Sequence, residues 1–141
     1  MSFGRNPDKE HPQSVHPVWS PDGAKIAFIN NKVGVKNDNP VNFEDFTMNP
    51  DGSGIVRYTF NTEFEADINW SLDGKKIAVK SYRDENDEVY IIDLISKEQI
   101  NITNHESSDG SPIWSINEEL IFFKSERDSE KRELYSYVLT S

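Results

Sequence analysis

The segment Pro17–Phe28, with the sequence PVWSPDGAKIAF, decides the fold because the chain repeats its pattern twice more. The pattern returns as INWSLDGKKIAV at Ile68–Val79 and as PIWSINEELIF at Pro112–Phe122. The tryptophans of the three units are separated by 51 and 44 residues. Repeats of this length are typical of solenoids and propellers, in which each unit buries its apolar face only by stacking on a neighbour.

Each unit is predicted to contain four short strands separated by turns. The first strand ends at Trp-Ser, and Pro-Asp-Gly or Leu-Asp-Gly then supplies a tight turn, because Asp bonds its own backbone and Gly tolerates positive φ. The turn serines Ser20, Ser71 and Ser115 are expected to hydrogen-bond within the turn rather than to act as nucleophiles. The second strands are predicted at 25–29, 76–80 and 119–124, the third at 43–48, 88–94 and 133–140, and the fourth at 55–59 and 99–103.

The sequence therefore predicts an all-β fold made of β-propeller blades. No stretch has a sustained helical period, and four-stranded units of about this length are what a blade requires. The predicted blades span 15–60, 61–104 and 105–141, with the last incomplete, and 1–14 precedes them as a tail or a swapped outer strand. Their single tryptophans are expected to lie between neighbouring blades as structural residues: Trp19, Trp70 and Trp114.

The same residues resemble a known family. The pattern W-S-P-D-G-x-K-I-A-F, followed by F-x-M-N-P-D-G-S-G and an R-Y-T strand, is similar to the TolB-type propeller repeat over Val15–Leu139. Unit three departs from it at Ile116–Glu118, which replaces Pro-Asp-Gly, and unit one carries an insertion at Val33–Asn39. The resemblance implies the fold but little about activity, since similar propellers serve as binding scaffolds and as accessory domains of hydrolases and lyases.

Three blades do not make a closed propeller, which usually has four to eight. We expect a homodimer in which two three-blade arcs close a six-bladed ring, the blade number that resembles TolB itself. A fragment of a longer chain is the competing explanation. Ser2–Asn6 falls in the repeat phase of a fourth strand and is expected either to complete blade three of the partner copy or to belong to a polar tail.

The charge balance limits the class of partner. The chain has 15 Lys and Arg against 25 Asp and Glu, a net charge of −10, which argues against nucleic acid and favours a basic protein, a basic peptide or a cation. No apolar run approaches the roughly 20 residues of a membrane span, and the N-terminus lacks a secretory signal. We therefore expect no membrane insertion and either a cytoplasmic or a processed periplasmic form, with the compartment left open.

A search for catalytic or metal-binding motifs yields no metal site and no cofactor. Cysteine is absent, and His11, His16 and His105 are not spaced as metal ligands. The acidic run Asp84–Glu88 suggests a bound cation such as calcium, but it lacks the glycine and the distal Glu of a calcium loop. A solvated hairpin tip is the favoured interpretation of that run.

Geometry supplies the candidate binding site. In a propeller the first strand of every blade lines the central channel, so the positions three residues before each tryptophan should converge on one rim: His16, Asp67 and Ser111. The loops entering these strands are expected to add Glu65, His105 and Asp109. The set predicts an acidic funnel for a basic peptide or cation, the alternative being ordinary strand starts that bond water. A non-enzymatic binding or scaffold module is therefore the leading hypothesis, and a hydrolase or lyase, or its accessory domain, acting on a peptide or carbohydrate is the alternative.

Overall fold

The chain is all-β and forms three antiparallel sheets arranged as successive blades. The computed structural model describes residues 14–31, 43–61, 63–128 and 131–139. Blade 1 contains β1 (Ser14–Trp19), β2 (Ile26–Asn30), β3 (Glu44–Met48) and β4 (Val56–Arg57). Blade 2 contains β5 (Glu65–Trp70), β6 (Lys76–Ser81), β7 (Glu88–Asp93) and β8 (Gln99–Asn101), and blade 3 contains β9 (Asp109–Trp114), β10 (Leu120–Ser125) and β11 (Glu133–Val138). The predicted all-β, unclosed propeller architecture is confirmed.

Each blade is a simple meander in which neighbouring strands along the chain are neighbours in the sheet. Small differences from the predicted bounds occur at strand ends. Ser14 belongs to β1, one residue before the predicted blade boundary, and β4 covers only two residues of the predicted 55–59 strand. The predicted strand at Ser2–Asn6 and the insertion Val33–Asn39 lie outside the described residues.

The repeated serine holds the turn after each first strand, as the sequence predicts. The Ser20 hydroxyl donates to an Asp22 carboxylate oxygen at 2.6 Å and accepts from the Lys25 amide at 2.9 Å. The equivalent hydroxyls bond Asp73 in blade 2 and Asn117 in blade 3. Hydroxyl-to-backbone bonding of this kind is what these serines are suited to, and it accounts for their recurrence.

The turn after the first strand of blade 3 keeps the shape of its equivalents in blades 1 and 2 despite its altered sequence. Gly23 and Gly74 have φ of 71° and 68°, and Glu118 takes their place with φ of 57°. A glutamate in this left-handed region costs free energy that glycine avoids. The Glu118 carboxylate accepts a hydrogen bond from the Asp73 amide at 2.8 Å, which offsets part of that cost and ties blade 3 to blade 2.

Two apolar clusters lie between the blades. One joins blades 1 and 2 through buried residues that include Ile29, Trp70 and Ile77. The other joins blades 2 and 3 and includes Val89 and Trp114. Side chains alternate along each strand, so every blade contributes one face to each neighbouring cluster. Trp70 and Trp114 therefore occupy interblade positions, whereas Trp19 is exposed because no described blade precedes it.

Within the described residues, no helix has the length and apolar character needed to cross a membrane.

Candidate functional site

The first strands of the three blades lie side by side. Strand β1 contacts β5, and β5 in turn contacts β9, so these strands form the common inner edge of the arc. The three strands run in the same direction, and each finishes at its tryptophan. The starts of the three strands therefore lie at one common end of the blades.

A β-bulge interrupts each of these strands at the same repeat position. The pairing of β1 with β2 skips between Val15 and Val18, and β5 and β9 show the same irregularity against β6 and β10. The first bulged residue has φ of 52° in His16, 54° in Asp67 and 52° in Ser111. Such left-handed residues cost about 1–3 kcal/mol each when they are not glycine. Because the bulge recurs in every blade, it belongs to the blade geometry, and it turns these side chains away from regular alternation.

Asp67 and Ser111 are in direct contact across the boundary between blades 2 and 3. The Ser111 amide donates to an Asp67 carboxylate oxygen at 3.2 Å. The Lys80 side chain crosses the same place, since a Cβ added to Gly110 would lie 2.8 Å from Lys80 Cδ and 3.7 Å from that Asp67 oxygen. The structure thus brings together two of the predicted residues and adds a lysine that the sequence did not single out.

A second carboxylate completes this group. The Lys80 ammonium lies 3.6 Å from an Asp87 carboxylate oxygen, and the Ser108 hydroxyl donates to the same oxygen at 3.0 Å. The Asp109 amide donates to the Asp87 carbonyl at 2.7 Å, which fixes the hairpin against β9. We call the side chains at this end of the inner strands the inner-strand rim: His16, Asp67, Lys80, Asp87, Ser108 and Ser111. Its two carboxylates outnumber its one ammonium, so it carries a modest negative charge.

Glu65 and Asp109 have a different environment from the one predicted. Each is the first residue of its strand rather than part of a loop, and each is buried. The Arg83 guanidinium donates to Glu65 at 3.0 Å, and the Arg127 guanidinium donates to Asp109 at 2.9 Å. In each pair the carboxylate is buried and the guanidinium is partly exposed, and the pair connects the start of the first strand to the segment just after the second. The placement in loops was therefore wrong: both residues belong to strands. The arginine of a repeated Ser-x-Arg motif, Ser81–Arg83 and Ser125–Arg127, pairs with each carboxylate.

Burial dominates the titration of the carboxyl groups between blades 1 and 2. Burial raises the pKa of Glu65 to about 7, against the opposing effect of Arg83. Burial also raises the pKa of Asp45 well above its usual range, and the nearby Glu65 charge adds to this effect. Among the residues that the structure describes, neither carboxylate oxygen of Asp45 has a hydrogen-bond partner. Asp45 is therefore a destabilising group in its charged form.

His105 lies half-buried in the loop that enters β9. Its backbone amide donates to a Glu88 carboxylate oxygen at 2.9 Å, and its Nδ1 accepts from the Ser107 amide at 3.1 Å. These bonds shape the loop, and they leave His105 beside the inner-strand rim rather than within it. His16 is exposed on β1, at the position equivalent to Asp67.

The acidic run Asp84–Glu88 forms the hairpin between β6 and β7. The Asp84 carboxylate accepts hydrogen bonds from the Tyr90 hydroxyl and from the Asn101 amide group. Asn86 donates to Glu88 and to the His105 carbonyl. In the part of the chain that the structure describes, no group of three or more His, Asp or Glu side chains is placed to hold a metal ion.

A separate cleft of about 400 Å³ lies between the outer parts of blades 2 and 3. Its floor is apolar and includes Ile100, Ile102 and Tyr137, and its edge carries the carboxylates of Asp93 and Glu98. The turn bearing Glu98 follows β7, which runs in the same direction as β5, so the cleft lies at the opposite end of the blades from the inner-strand rim.

The TolB beta propeller domain model matches residues 8–140. The chain belongs to this family. Its fold is similar to TolB from Acinetobacter baumannii, with a TM-score of 0.72 and 19% identity over 92% of this chain and 31% of that one. A putative TolB from Agrobacterium tumefaciens gives a TM-score of 0.69 and 23% identity over 87% of this chain and 44% of that one. This TolB-family chain thus spans less than half the length of either protein.

The same fold occurs in an enzyme. An oligogalacturonate lyase in complex with manganese matches with a TM-score of 0.69 and 18% identity, over 94% of this chain and 37% of that one. At these identities the similarity shows the fold alone. No curated protein sequence matches the chain.

Proposed function

We propose that the chain is a non-enzymatic binding module that takes a basic peptide segment at the inner-strand rim. The observation that carries the proposal is the recurring bulge at His16, Asp67 and Ser111, which directs three side chains from three blades towards one edge. Bulges commonly re-aim side chains at functional sites. In this chain the bulged side chains differ while the backbone geometry is constant, which suits a scaffold that presents variable contacts.

Charge supports a cationic ligand. The chain carries a net charge of −10, which favours the approach of positive partners over long range. At the rim, Asp67 and Asp87 offer carboxylates at the edge of a rigid sheet, and Lys80 lies between them. A peptide ammonium or guanidinium group would compete with Lys80 for these oxygens. The ligand would therefore bind with modest affinity and strong dependence on salt.

The enzymatic alternative, a hydrolase or lyase or its accessory domain, is supported by fold similarity alone. The carboxylates of Glu65 and Asp109, the acids nearest the strand starts, are committed to Arg83 and Arg127. A general acid or base has to reach a substrate proton within hydrogen-bond distance. The binding proposal instead uses the carboxylates of Asp67 and Asp87, which are half-buried where those of Glu65 and Asp109 are fully buried.

Fluorescence anisotropy with a labelled peptide tests the proposal. The probe is a short peptide of alternating Lys and Gly, and its control has Glu in place of Lys. We expect the basic peptide alone to bind, and Asp67→Asn to weaken its binding about threefold to tenfold, as for loss of a partly exposed ion pair of about 1 kcal/mol.

Glu98→Gln is the matched control, since it removes the same charge at the other end of the blades. Its affinity should equal that of the unmodified chain apart from a small general charge effect. Equal binding of both peptides, no binding of either, or equal weakening by Asp67→Asn and Glu98→Gln would each reject the proposal.

A further inference from the structure

The two internal blade contacts follow one rule. The Trp70 indole Nε1 donates to the Val18 carbonyl at 3.0 Å, and the Trp114 indole Nε1 donates to the Asn69 carbonyl at 3.2 Å. Val18 and Asn69 are each the residue before their own blade's tryptophan. Each of these two tryptophans therefore packs against the inner strand of the preceding blade. In that position Trp70 is 6% exposed and Trp114 is 9% exposed.

Blade 1 presents the tryptophan half of this contact without its other half. Trp19 is 57% exposed on the face of blade 1 that points away from blade 2. A cavity of about 210 Å³ opens on the same face. Its lining is mostly apolar and includes Pro17, Met48 and Ile55. A face that carries both a large exposed indole and an apolar cavity is of the kind that marks a contact site.

Blade 3 presents the complementary half. Ile113 precedes Trp114, so it occupies the position of Val18 and Asn69, and it is 57% exposed. Leu134 and Val138 of β11 are also exposed. They alternate with Tyr135 and Tyr137, which pack in the cluster between blades 2 and 3, so they lie on the opposite, open face. This face is apolar around the Ile113 carbonyl, which is the equivalent of the Val18 and Asn69 carbonyls.

We infer that the open face of blade 3 binds the open face of blade 1 in a second copy of this chain, and that the contact forms twice around a twofold axis. The indole Nε1 of Trp19 donates to the Ile113 carbonyl of the partner copy, as Trp70 donates to Val18 within the chain. Two arcs of three blades give six, within the range of four to eight blades found in closed propellers. A second copy is the fitting occupant because both halves of an interface already used twice are carried by this one chain.

Each of the two symmetry-related contacts joins two different faces, blade 3 of one copy and blade 1 of the other, and this makes a specific test possible. Multi-angle light scattering of the 141-residue chain should give twice the mass of one 16.2 kDa chain at tens of micromolar. Trp19→Ala and Ile113→Lys should each give the mass of one chain, with unchanged far-ultraviolet circular dichroism. Ile116→Lys, at a residue that is 92% exposed in the turn after β9, should remain dimeric.

Mixing the two monomeric variants identifies the pairing of faces. In a mixed pair, the Ile113→Lys copy still has an unmodified blade 1, and the Trp19→Ala copy still has an unmodified blade 3. One interface is therefore intact, and the mixture should regain association that neither variant shows alone. A contact between two identical faces would not be restored in this way.

Several results would overturn the inference. The mass of a single chain at all concentrations would show that a second copy does not bind these faces. That result is expected if further blades of a longer polypeptide, or another protein, cover them. Mass that grows with concentration without a plateau would show open assembly in place of a closed ring. A dimer that survives Ile113→Lys, or that is lost equally in Ile116→Lys, would place the interface elsewhere.

Discussion

Replacing Asp45 by Val should stabilise the protein at neutral and alkaline pH. Asp45 is fully buried between blades 1 and 2, and both of its carboxylate oxygens lack hydrogen-bond partners within the described part of the chain. Its backbone amide donates to the Thr59 hydroxyl at 2.8 Å, and its carbonyl accepts from the Tyr58 amide. Val89 occupies the same position in blade 2 and makes the same two backbone bonds. The repeat therefore shows that valine fits this backbone setting.

The magnitude follows from the cost of an unsatisfied buried polar group, about 1–3 kcal/mol and more when the group is charged. Burial raises the pKa of Asp45, so the folded chain holds a proton there at pH values where the unfolded chain has lost it. The contribution of Asp45 to the free energy of unfolding is therefore most favourable at acid pH and is lost as the pH rises through the folded-state pKa. The advantage of Asp45→Val should be about 1–3 kcal/mol at pH 8 and should shrink towards pH 4.5.

Urea unfolding followed by tryptophan fluorescence at several pH values provides the assay. Glu98→Gln is the control, since it removes the same charge from an exposed turn and should leave the free energy of unfolding nearly unchanged. The reverse substitution, Val89→Asp, should destabilise blade 2 at pH 8. Equal or lower stability of Asp45→Val at pH 8, or an advantage that does not change with pH, would refute the reasoning.

Three further substitutions test other parts of the fold. Trp70→Ala should lower the free energy of unfolding in urea by about 3–5 kcal/mol. Trp19→Ala should lower it far less in the isolated chain, because Trp19 is exposed. Equal losses in the two variants would contradict the interblade position of Trp70. Ser111→Val should lower the free energy of unfolding by about 1–3 kcal/mol, because it forces a β-branched residue to positive φ. Ser111→Gly should leave that free energy unchanged or raise it. Unchanged stability of Ser111→Val would contradict the positive φ at the bulge. Arg83→Met removes the ion-pair partner of the Glu65 carboxylate. The free energy of unfolding should therefore fall by about 3–5 kcal/mol at pH 8 and by clearly less at pH 5. Thermal melts at the two pH values check this difference.

The fold could be predicted because the repeat specifies it three times. The residues around Trp19, Trp70 and Trp114 fix the first strand, the turn and the second strand, and their spacing fixes the blade. Serine and glycine in the turn act through local bonds and local φ, so sequence reasoning reaches them directly. The sequence marks Ile116–Glu118 as a departure from the repeat, and only the structure shows that Glu118 takes the conformation of the equivalent glycines.

The site was predictable only in part. Counting back from each tryptophan identifies Asp67 and Ser111, because that position depends on the repeat alone. It does not identify Lys80 or Asp87, which reach the same place through the pairing of β6 with β7 and the packing of blade 2 on blade 3. Burial of Glu65 was missed for a similar reason, since its partner Arg83 lies 18 residues further along the chain.

An amide NMR titration with the Lys-Gly peptide tests the binding proposal most directly. In ¹H–¹⁵N spectra at physiological salt, we expect the largest shifts at the inner-strand rim, at the amides of Asp67, Ser108 and Ser111. The turns at the other end of the blades, 71–75 and 94–98, should not move. Shifts confined to those turns, or no shifts at all, would contradict a binding site at the inner-strand rim.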